Sequence, residues 1–399
     1  MAVITRPLPV APRPKPGELI SSWLGRTAAR YDMDGAAFRP LLLPDDGHGR
    51  DRLDLQLTAD EVTGLADAFR LPPERVAALD LTQAWPRVAV DWLPGVGRKM
   101  RARGNLDLSW CRKCLEEGHS SSGTYLDREA ALPLCLCHRH QHWRVDCCQH
   151  CSPDNPPRFV WDRGAVELAC GDCRRLLRTP GRPIWAECWG NDDRHMGRKF
   201  EIMLVFERCL RSGLLGHPVR IEGVGRVEPA EFLALVEDLT RALLAPNRSS
   251  TSLINRYGCD FLRIEPDHRP TDWRERPYPE LGPMTRAWVL SAIIAIVSGE
   301  TIGPLFSGRY WARHSGGDNA RSLEWLFEHA ATWVKAMLIR GSARWPAPLR
   351  ERMRTLHAGS GLEVDDILIR FETWRAEEDR VRFGTQRADW EQLIDWSWL

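Results

Sequence analysis

Four short metal-binding spacings follow one another between residues 111 and 173, and they constrain this chain more than any other feature. In each spacing two potential ligands lie three positions apart, so both side chains of one tight turn can reach the same ion. Because two such pairs complete one tetrahedral site, the series predicts two structural zinc ions, Zn2+. The four pairs are Cys111 with Cys114, Cys137 with His140, Cys148 with Cys151, and Cys170 with Cys173.

The distance between the last two pairs indicates how one of the sites is built. The segment between Cys151 and Cys170 has the length expected of a four-cysteine zinc ribbon. The other site would then contain three cysteines and one histidine. Protein atoms would fill all four positions around both ions and leave none for a catalytic water, so we expect a structural role and no enzymatic activity.

Spacing alone leaves two questions open. Cys135 and His138 have the same separation as Cys137 and His140, and either set could supply ligands. The sites could also be sequential, or cross-braced with the first pair joined to the third. The alternating histidines, which end at His142, could line an open catalytic zinc, but the thiolate count closes both sites and disfavours that interpretation.

Composition limits what the chain can bind. Hydrophobic residues make up 43% and charged residues 27%, which is typical of a folded protein, and the formal net charge is +1. This balance gives no global attraction to nucleic acid, so any nucleic-acid surface must be a local patch. The candidate phosphate contacts are Arg98, Lys99, Arg101 and Arg103 in the densest basic run, and Arg174, Arg175 and Arg178 beside the last cysteine pair.

Neither a membrane nor a secretory route is indicated. The beginning of the chain does not have the basic, apolar and small-residue order of a signal peptide. The longest uncharged apolar run, 287–297, is far shorter than the roughly 20 residues that cross a bilayer. We therefore expect a cytoplasmic protein without a membrane partner, in which twelve cysteines favour metal binding over disulfides.

Local patterns predict a mainly α protein with short strands in the zinc region. Residues 1–16 would be a proline-rich extended leader, and 17–105 a helical module that could include a helix-turn-helix. Residues 106–183 would form the zinc-binding region, and 184–399 a helical C-terminal domain. The predicted N-terminal helices include 18–30, 36–43 and 74–79. A Thr58–Glu61 capping box opens a further predicted helix, which ends at Phe69. The stretch 85–110 is expected to be irregular. The predicted C-terminal helices are 198–212, 229–244, 284–298, 321–339, 347–357 and 364–375.

The opening helix and the cysteine pairs together resemble the TniQ family. The stretch 16–24, Pro-Gly-Glu-Leu-Ile-Ser-Ser-Trp-Leu, is similar to that family's Pro-x-Glu-Ser-Leu-x-Ser-Trp-Leu, and it departs from it at Leu19. The stretch 110–115 resembles the family's aromatic-Cys-Pro-x-Cys-Leu but lacks the proline. The stretch 137–151 resembles its Cys-x-x-His followed by Cys-x-x-Cys, and this register favours Cys137 and His140 as ligands. The similarity covers roughly residues 8–175.

The resemblance implies a role in transposition. TniQ and the related TnsD proteins are target-selection subunits of bacterial transposons and have no transposase chemistry of their own. They bridge a target to an AAA+ ATPase regulator, which recruits the DDE transposase. Some relatives read a DNA site directly, and others dock on a CRISPR RNA-guided effector complex.

We therefore expect a non-catalytic target-selection adaptor that links target DNA or a CRISPR RNA-guided complex to the AAA+ ATPase. The leader or the first helix would contact that ATPase, with Arg13, Lys15 and Trp23 as candidate partner-binding residues. A stand-alone zinc-containing DNA-binding regulator is the alternative, and a homodimer is left open.

Overall fold

The chain forms two compact units in a computed structural model that describes residues 7–43, 53–93, 108–121, 123–148, 150–151, 156–179, 193–221, 223–245, 278–298 and 322–383. The first unit contains the described residues up to Glu187, together with 214–216 and 279–286. The second contains the described residues of Cys188–Gly213, His217–Tyr278 and Ala287–Leu399. The leader, the N-terminal helices and the cysteine region, which the sequence suggests are separate segments, thus belong to one unit.

Short helices open the first unit. They are α1 Ile20–Arg30, α2 Gly35–Leu42, α3 Ala59–Phe69, α4 Pro73–Ala77, α5 Leu81–Ala84 and α6 Arg87–Asp91. The predicted capping box is present, because the Thr58 hydroxyl accepts a hydrogen bond from the Glu61 amide and the Glu61 carboxylate accepts one from the Thr58 amide. Residues 70–72 connect α3 to α4. The proposed helix-turn-helix stays a prediction.

Helix α6 lies inside the stretch 85–110, which the sequence suggests is irregular; this expectation is wrong for α6, and residues 94–107 lie outside the described part of the chain. Pro86 immediately precedes the helix, and because its nitrogen carries no hydrogen it leaves no donor unpaired there. Ala89, inside the helix, is completely buried. Burial of one side of a single turn stabilises this helix, which is too short to show a clear periodicity in the sequence.

The apolar stripe of α1 forms the centre of the N-terminal core. Trp23 is completely buried, and its ring lies 4.1 Å from the ring of Phe69, centroid to centroid. Leu65 and Phe38 complete the contact between α1, α2 and α3. These residues follow helical spacing in the sequence, which is why the pattern identifies the helices.

The leader packs on the unit's own helices. Leu8 is buried in the core, and its amide donates a hydrogen bond to the carbonyl of Ala68. The indole Nε1 of Trp23 donates to the carbonyl of Pro12 at 2.7 Å. Residues 7–16 therefore pack against α1 and its neighbours, and they contain no helix or strand.

A buried carboxylate joins this leader to α1. Glu18 Oε1 accepts from Arg26 Nε at 2.6 Å, and Oε2 accepts from Arg26 Nη2 at 2.7 Å. Glu18 also accepts from the Ser22 hydroxyl and the Lys15 amide, while Arg26 donates to the carbonyl of Arg13. Both ionic side chains are almost fully buried, so each depends on the other for compensation.

Small antiparallel sheets build the cysteine region. Strands β1 Trp110–Cys111, β2 Leu136–Cys137 and β3 His142–Val145 form a sheet in the order β1-β3-β2. Helix α7 Arg112–Ser121 follows β1, and strands β4 Arg158–Asp162 and β5 Ala165–Ala169 form a hairpin. The hairpin packs on α1 at Gly25, where a Cβ atom would lie 2.6 Å from the ring of Phe159.

Helices dominate the second unit, as the sequence predicts. The hairpin of β6 Val219–Ile221 and β7 Gly225–Val227 precedes the helix that starts at Pro229. That helix is fixed by the buried carboxylate of Asp238, which accepts from Trp345 Nε1 at 2.9 Å. The helices of this part of the chain are α8 Asp193–Leu214, α9 Pro229–Leu244, α10 Pro283–Ser298, α11 Leu323–His329, α12 Thr332–Gly341, α13 Ala347–Ser360 and α14 Val364–Phe383.

One predicted helix, 321–339, is interrupted. Ala330 and Ala331 have extended backbone conformations and separate α11 from α12. The break allows Phe327 and Trp333, one on each helix, to be buried. Neither alanine is a helix breaker by itself, so tertiary packing overrides the local propensity.

No helix in the described ranges has the length and hydrophobicity needed to cross a bilayer.

We expect Glu18→Ala to lower the free energy of unfolding by about 3–5 kcal/mol, because it leaves the Arg26 guanidinium buried without a counter-charge. Denaturant unfolding monitored by far-UV circular dichroism and tryptophan fluorescence measures the change. Arg87→Ala is the matched control, since the pair of Arg87 with Asp91 lies on the surface. A loss for Glu18→Ala no larger than that of the control would show that the buried pair does not stabilise the unit.

Candidate metal centre

Two clusters of four ligand atoms lie in the cysteine region. The first cluster consists of Cys111, Cys114, Cys137 and His140, and the second of Cys148, Cys151, Cys170 and Cys173. Within each cluster the sulfur and nitrogen atoms all lie within 4.8 Å of one another. The structure therefore brings together all eight residues proposed as ligands. It pairs the four spacings sequentially, which removes the cross-braced alternative.

The interatomic distances match those of a tetrahedral zinc site. Metal–sulfur bonds of about 2.3 Å place two sulfurs about 3.8 Å apart, and a sulfur and an imidazole nitrogen about 3.5 Å apart. In the first cluster Cys114 Sγ lies 3.7 Å from Cys137 Sγ and 3.2 Å from His140 Nδ1. In the second, Cys148 Sγ lies 3.6 Å from Cys173 Sγ. Each cluster could therefore hold one metal ion, and four protein atoms would complete its coordination.

The local fold of the first cluster explains why these residues converge. Cys111 ends β1 and Cys137 ends β2, and both strands pair with β3. Cys114 lies in the first turn of α7, where the helix dipole favours a thiolate. His140 lies in the turn from β2 to β3, which Gln141 closes in a left-handed conformation.

The alternative ligand pair points elsewhere. Cys135 is completely buried beside β2, and it belongs to neither cluster. His138 Nδ1 contacts Glu129 Oε2 at 2.6 Å, and almost half of its side chain is exposed. The structure thus selects Cys137 and His140, which is the register that the family resemblance favours.

Two tight turns form the second cluster. The amide of His150 points at Cys148 Sγ at 3.4 Å, as expected in a turn that holds a thiolate. The turn that carries Cys170 and Cys173 follows β5 and is closed by the hydrogen bond from the Cys170 amide to the Arg175 carbonyl. These contacts explain how the two turns present four sulfurs to one point.

A carboxylate orients the only histidine of the two clusters. His140 directs Nδ1 towards the cysteine sulfurs, and its other ring nitrogen, Nε2, lies 2.9 Å from Glu117 Oε1. Arg139 Nη2 lies 2.7 Å from the second oxygen of Glu117. Such a carboxylate fixes the tautomer and the ring plane of a metal-binding histidine, and it raises the basicity of the ligand nitrogen. The sequence did not identify Glu117. This residue lies one turn after Cys114 on α7, and that proximity is apparent only when the segment is known to be helical.

Close sulfurs shift one another's protonation. Hydrogen bonds from Cys111 and Cys114 hold the pKa of Cys137 far below its ordinary value. Hydrogen bonding to Cys111 and Cys137, together with burial, raises the pKa of Cys114 far above it. In the second cluster the Arg175 amide lowers the pKa of Cys173 to about 7. Since a metal needs thiolates, its binding must displace protons from the sulfurs with raised pKa values, and acid must weaken it.

The proposed nucleic-acid contacts differ in exposure. Arg174 and Arg175 are exposed, and Arg175 Nη1 lies 2.9 Å from His150 Nδ1. Arg178 donates to the buried carboxylate of Glu167 at 3.1 Å, which gives it a structural contact. The basic run of Arg98, Lys99, Arg101 and Arg103 lies outside the described residues.

The proposed partner contacts also differ. Arg13 is exposed and Lys15 is half-buried. Trp23 is completely buried in the core between α1 and α3, so its side chain is not on the folded surface. A partner that binds here would meet the leader and not the indole beneath it.

We expect the wild-type chain to contain two zinc ions, and Cys114→Ser and Cys151→Ser to contain one each, because each substitution removes one ligand from one cluster. Metal content by mass spectrometry, on protein purified without added metal, measures this. Cys135→Ser is the matched control and should keep both ions. Loss of an ion from the control but not from Cys114→Ser would contradict the assignment of ligands.

Glu117→Gln should lower the metal affinity of the first cluster about 10–100-fold, because it removes the charge that orients and polarises His140. Competition with a chromophoric chelator measures the affinity. Glu116→Gln, one position away and exposed, should leave it unchanged. Equal affinities for the two variants would show that the Glu117 contact does not support the site.

Comparison with known proteins identifies the family of this region. The TniQ family model matches residues 9–152. No curated protein sequence matches the chain closely enough to count as a relative. The matched range includes the packed part of the leader from Pro9 onwards, the whole first cluster, and Cys148 and Cys151 of the second. Residues 9–152 of this chain are therefore a TniQ domain, which confirms the family that the opening helix and the cysteine pairs indicated.

Proposed function

We propose that this protein is a non-catalytic target-selection adaptor of a bacterial transposon. It would link target DNA, or a CRISPR RNA-guided complex, to the AAA+ ATPase regulator that recruits the transposase. The TniQ domain supports the transposition role, because the family consists of target-selection proteins. The connection to an ATPase follows from that family and is part of the proposal.

The observation that carries the non-catalytic part is the composition of the two clusters. Each contributes four protein ligand atoms, three sulfurs with one nitrogen or four sulfurs. We propose that both hold structural zinc, because a catalytic zinc keeps one position for water or substrate. In this view the ions stabilise a surface that binds partners.

The exposed part of the leader is the proposed contact for the ATPase. Arg13 is exposed, while its carbonyl is held by Arg26 and the adjacent Trp23 indole holds Pro12. The backbone of this segment is thus ordered before binding. A partner that docks on it would pay little conformational entropy.

We expect the full-length, metal-loaded protein to bind the AAA+ ATPase encoded by the same transposon when ATP and DNA are present. Arg13→Glu should weaken that binding, because it reverses a charge on the leader. Sedimentation of the ATPase–DNA assembly with the added protein measures the association. Arg87→Glu, which changes another exposed arginine, on α6, is the control.

Absence of wild-type co-sedimentation would contradict the adaptor proposal. Equal binding by the two variants would retain the adaptor function but exclude the leader as its contact.

A stand-alone DNA-binding regulator is the second candidate. Arg174 and Arg175 are exposed beside the second cluster, which favours a local phosphate contact. The near-neutral charge of the chain predicts that any such contact is weak.

If the protein reads DNA directly, its affinity should fall as salt rises, and Arg174→Ala should reduce the slope of log K against log salt by about 1. Fluorescence anisotropy with a labelled duplex measures both quantities. Arg163→Ala changes an exposed arginine in the β4–β5 turn and is the control. Binding that is absent or independent of salt would leave the adaptor as the better description.

A further inference from the structure

A buried carboxylate lies between the parts of the chain that carry the two metal clusters. It belongs to Glu167, which is 1% exposed and lies in β5. Strand β5 ends directly before Cys170 of the second cluster, and it packs against α7, which carries Cys114 of the first. Glu167 is not a proposed ligand, but its side chain is placed where it can contact the supports of both clusters.

The contacts on one side of this carboxylate come from α7 and the segment that follows it. His119, near the end of the helix, directs Nδ1 to Glu167 Oε1. The hydroxyl of the completely buried Thr124 lies 3.4 Å from Glu167 Oε2 and 3.2 Å from the carbonyl of Leu115 on α7. The amide of Thr124 also donates to the carbonyl of Val166 on β5 at 2.9 Å. The carboxylate is thus attached to the helix that bears a ligand of the first cluster.

The contact on the other side comes from the segment that follows the second cluster. Arg178 Nε donates to Glu167 Oε1 at 3.1 Å. The same segment is joined to β5 by the hydrogen bond from the Cys170 amide to the Arg175 carbonyl, which closes the turn that carries Cys170 and Cys173. Arg178 therefore reaches the carboxylate through a segment whose course depends on the turn that would hold the second ion.

Burial makes the contacts on the two sides interdependent. A carboxylate away from water is unfavourable unless its partners compensate the charge, and the loss of one partner is costly. His119 and Arg178 approach the same oxygen of Glu167, one from each side. An empty second cluster would loosen the turn that positions Arg178, and an empty first cluster would loosen the helix that positions His119. The ion that binds first would therefore order contacts that the second ion also requires.

We infer that Glu167 is a positioning residue shared by the two metal sites, and that through it each ion raises the affinity of the other cluster. This inference rests on the proposed occupation of both clusters by zinc, but it does not depend on the adaptor function. A second connection between the clusters runs along the chain from β3 to Cys148. The test must therefore separate the two connections.

The test compares the overall and the single-site zinc affinities of the full-length protein. Competition with a chromophoric chelator gives the binding constant of the wild type for two ions. It also gives the single-site constants of Cys151→Ser, which retains the first cluster, and of Cys114→Ser, which retains the second. The coupling factor is the wild-type constant divided by the product of the two single-site constants, and it equals 1 when the clusters are independent. The same three measurements in a Glu167→Gln background give the coupling factor without the carboxylate charge.

We expect a coupling factor of about 10 or more in the wild-type background, and a severalfold smaller one with Glu167→Gln, whose amide keeps the shape of the side chain but not its charge. If Glu167 only stabilised the fold, its substitution would lower the single-site constants and leave the coupling factor unchanged. Arg163→Gln changes an exposed arginine in the β4–β5 turn, and as the control it should not alter the factor. If Glu167→Gln does not fold, Arg178→Gln replaces it and should also lower the factor, because it removes the contact from the side of the second cluster.

Three results would overturn the inference. A coupling factor of 1 or less in the wild-type background would mean that neither ion assists the other. Equal factors for the wild type and the variant at position 167 or 178 would mean that the coupling runs along the chain between β3 and Cys148. Absence of zinc from the wild type would remove the metal sites themselves, and metal content distinguishes this result from the other two.

Discussion

The carboxylate of Glu18 connects three parts of the first unit. It accepts hydrogen bonds from the leader at the Lys15 amide and from α1 at Ser22 and Arg26. Its own backbone bridges to Asp127, between α7 and β2, so the cysteine region is attached at the same point. A buried ion pair contributes little when desolvation is counted, but it is costly to break, and its geometry specifies one arrangement. The leader, the first helix and the metal-binding region are thus held in one fixed arrangement.

The two metal clusters complement this arrangement. Their strands are two to five residues long, and such short hairpins are marginal by themselves in water. Metal ligation gives the region a source of stability that does not depend on apolar burial. Gly25 allows the β4–β5 hairpin to approach α1 closely, which joins this region to the apolar core around Trp23.

Local chemistry made part of this structure predictable. The ligand spacings, the Thr58 capping box and the apolar stripe of α1 all depend on residues close together in sequence. The residues could not show that the pairs combine sequentially, because that choice depends on how β1, β2 and β3 pair. Nor could they show the break at Ala330 and Ala331, which burial on both sides of it requires. The contact of Glu117 with His140 depends on how α7 and the β2–β3 turn lie relative to each other, which the sequence does not show.

The course of the leader also affects how this protein can be handled. A proline-rich N-terminus without regular structure is the kind of segment that is removed when a shorter chain is designed. Here Leu8 fills part of the core, and the carbonyls of Pro12 and Arg13 satisfy the indole of Trp23 and the guanidinium of Arg26. A chain that began at residue 17 would expose the N-terminal core and leave these two buried donors without their acceptors. The boundary of the smallest folded fragment therefore lies before Leu8, although regular helix begins only at Ile20.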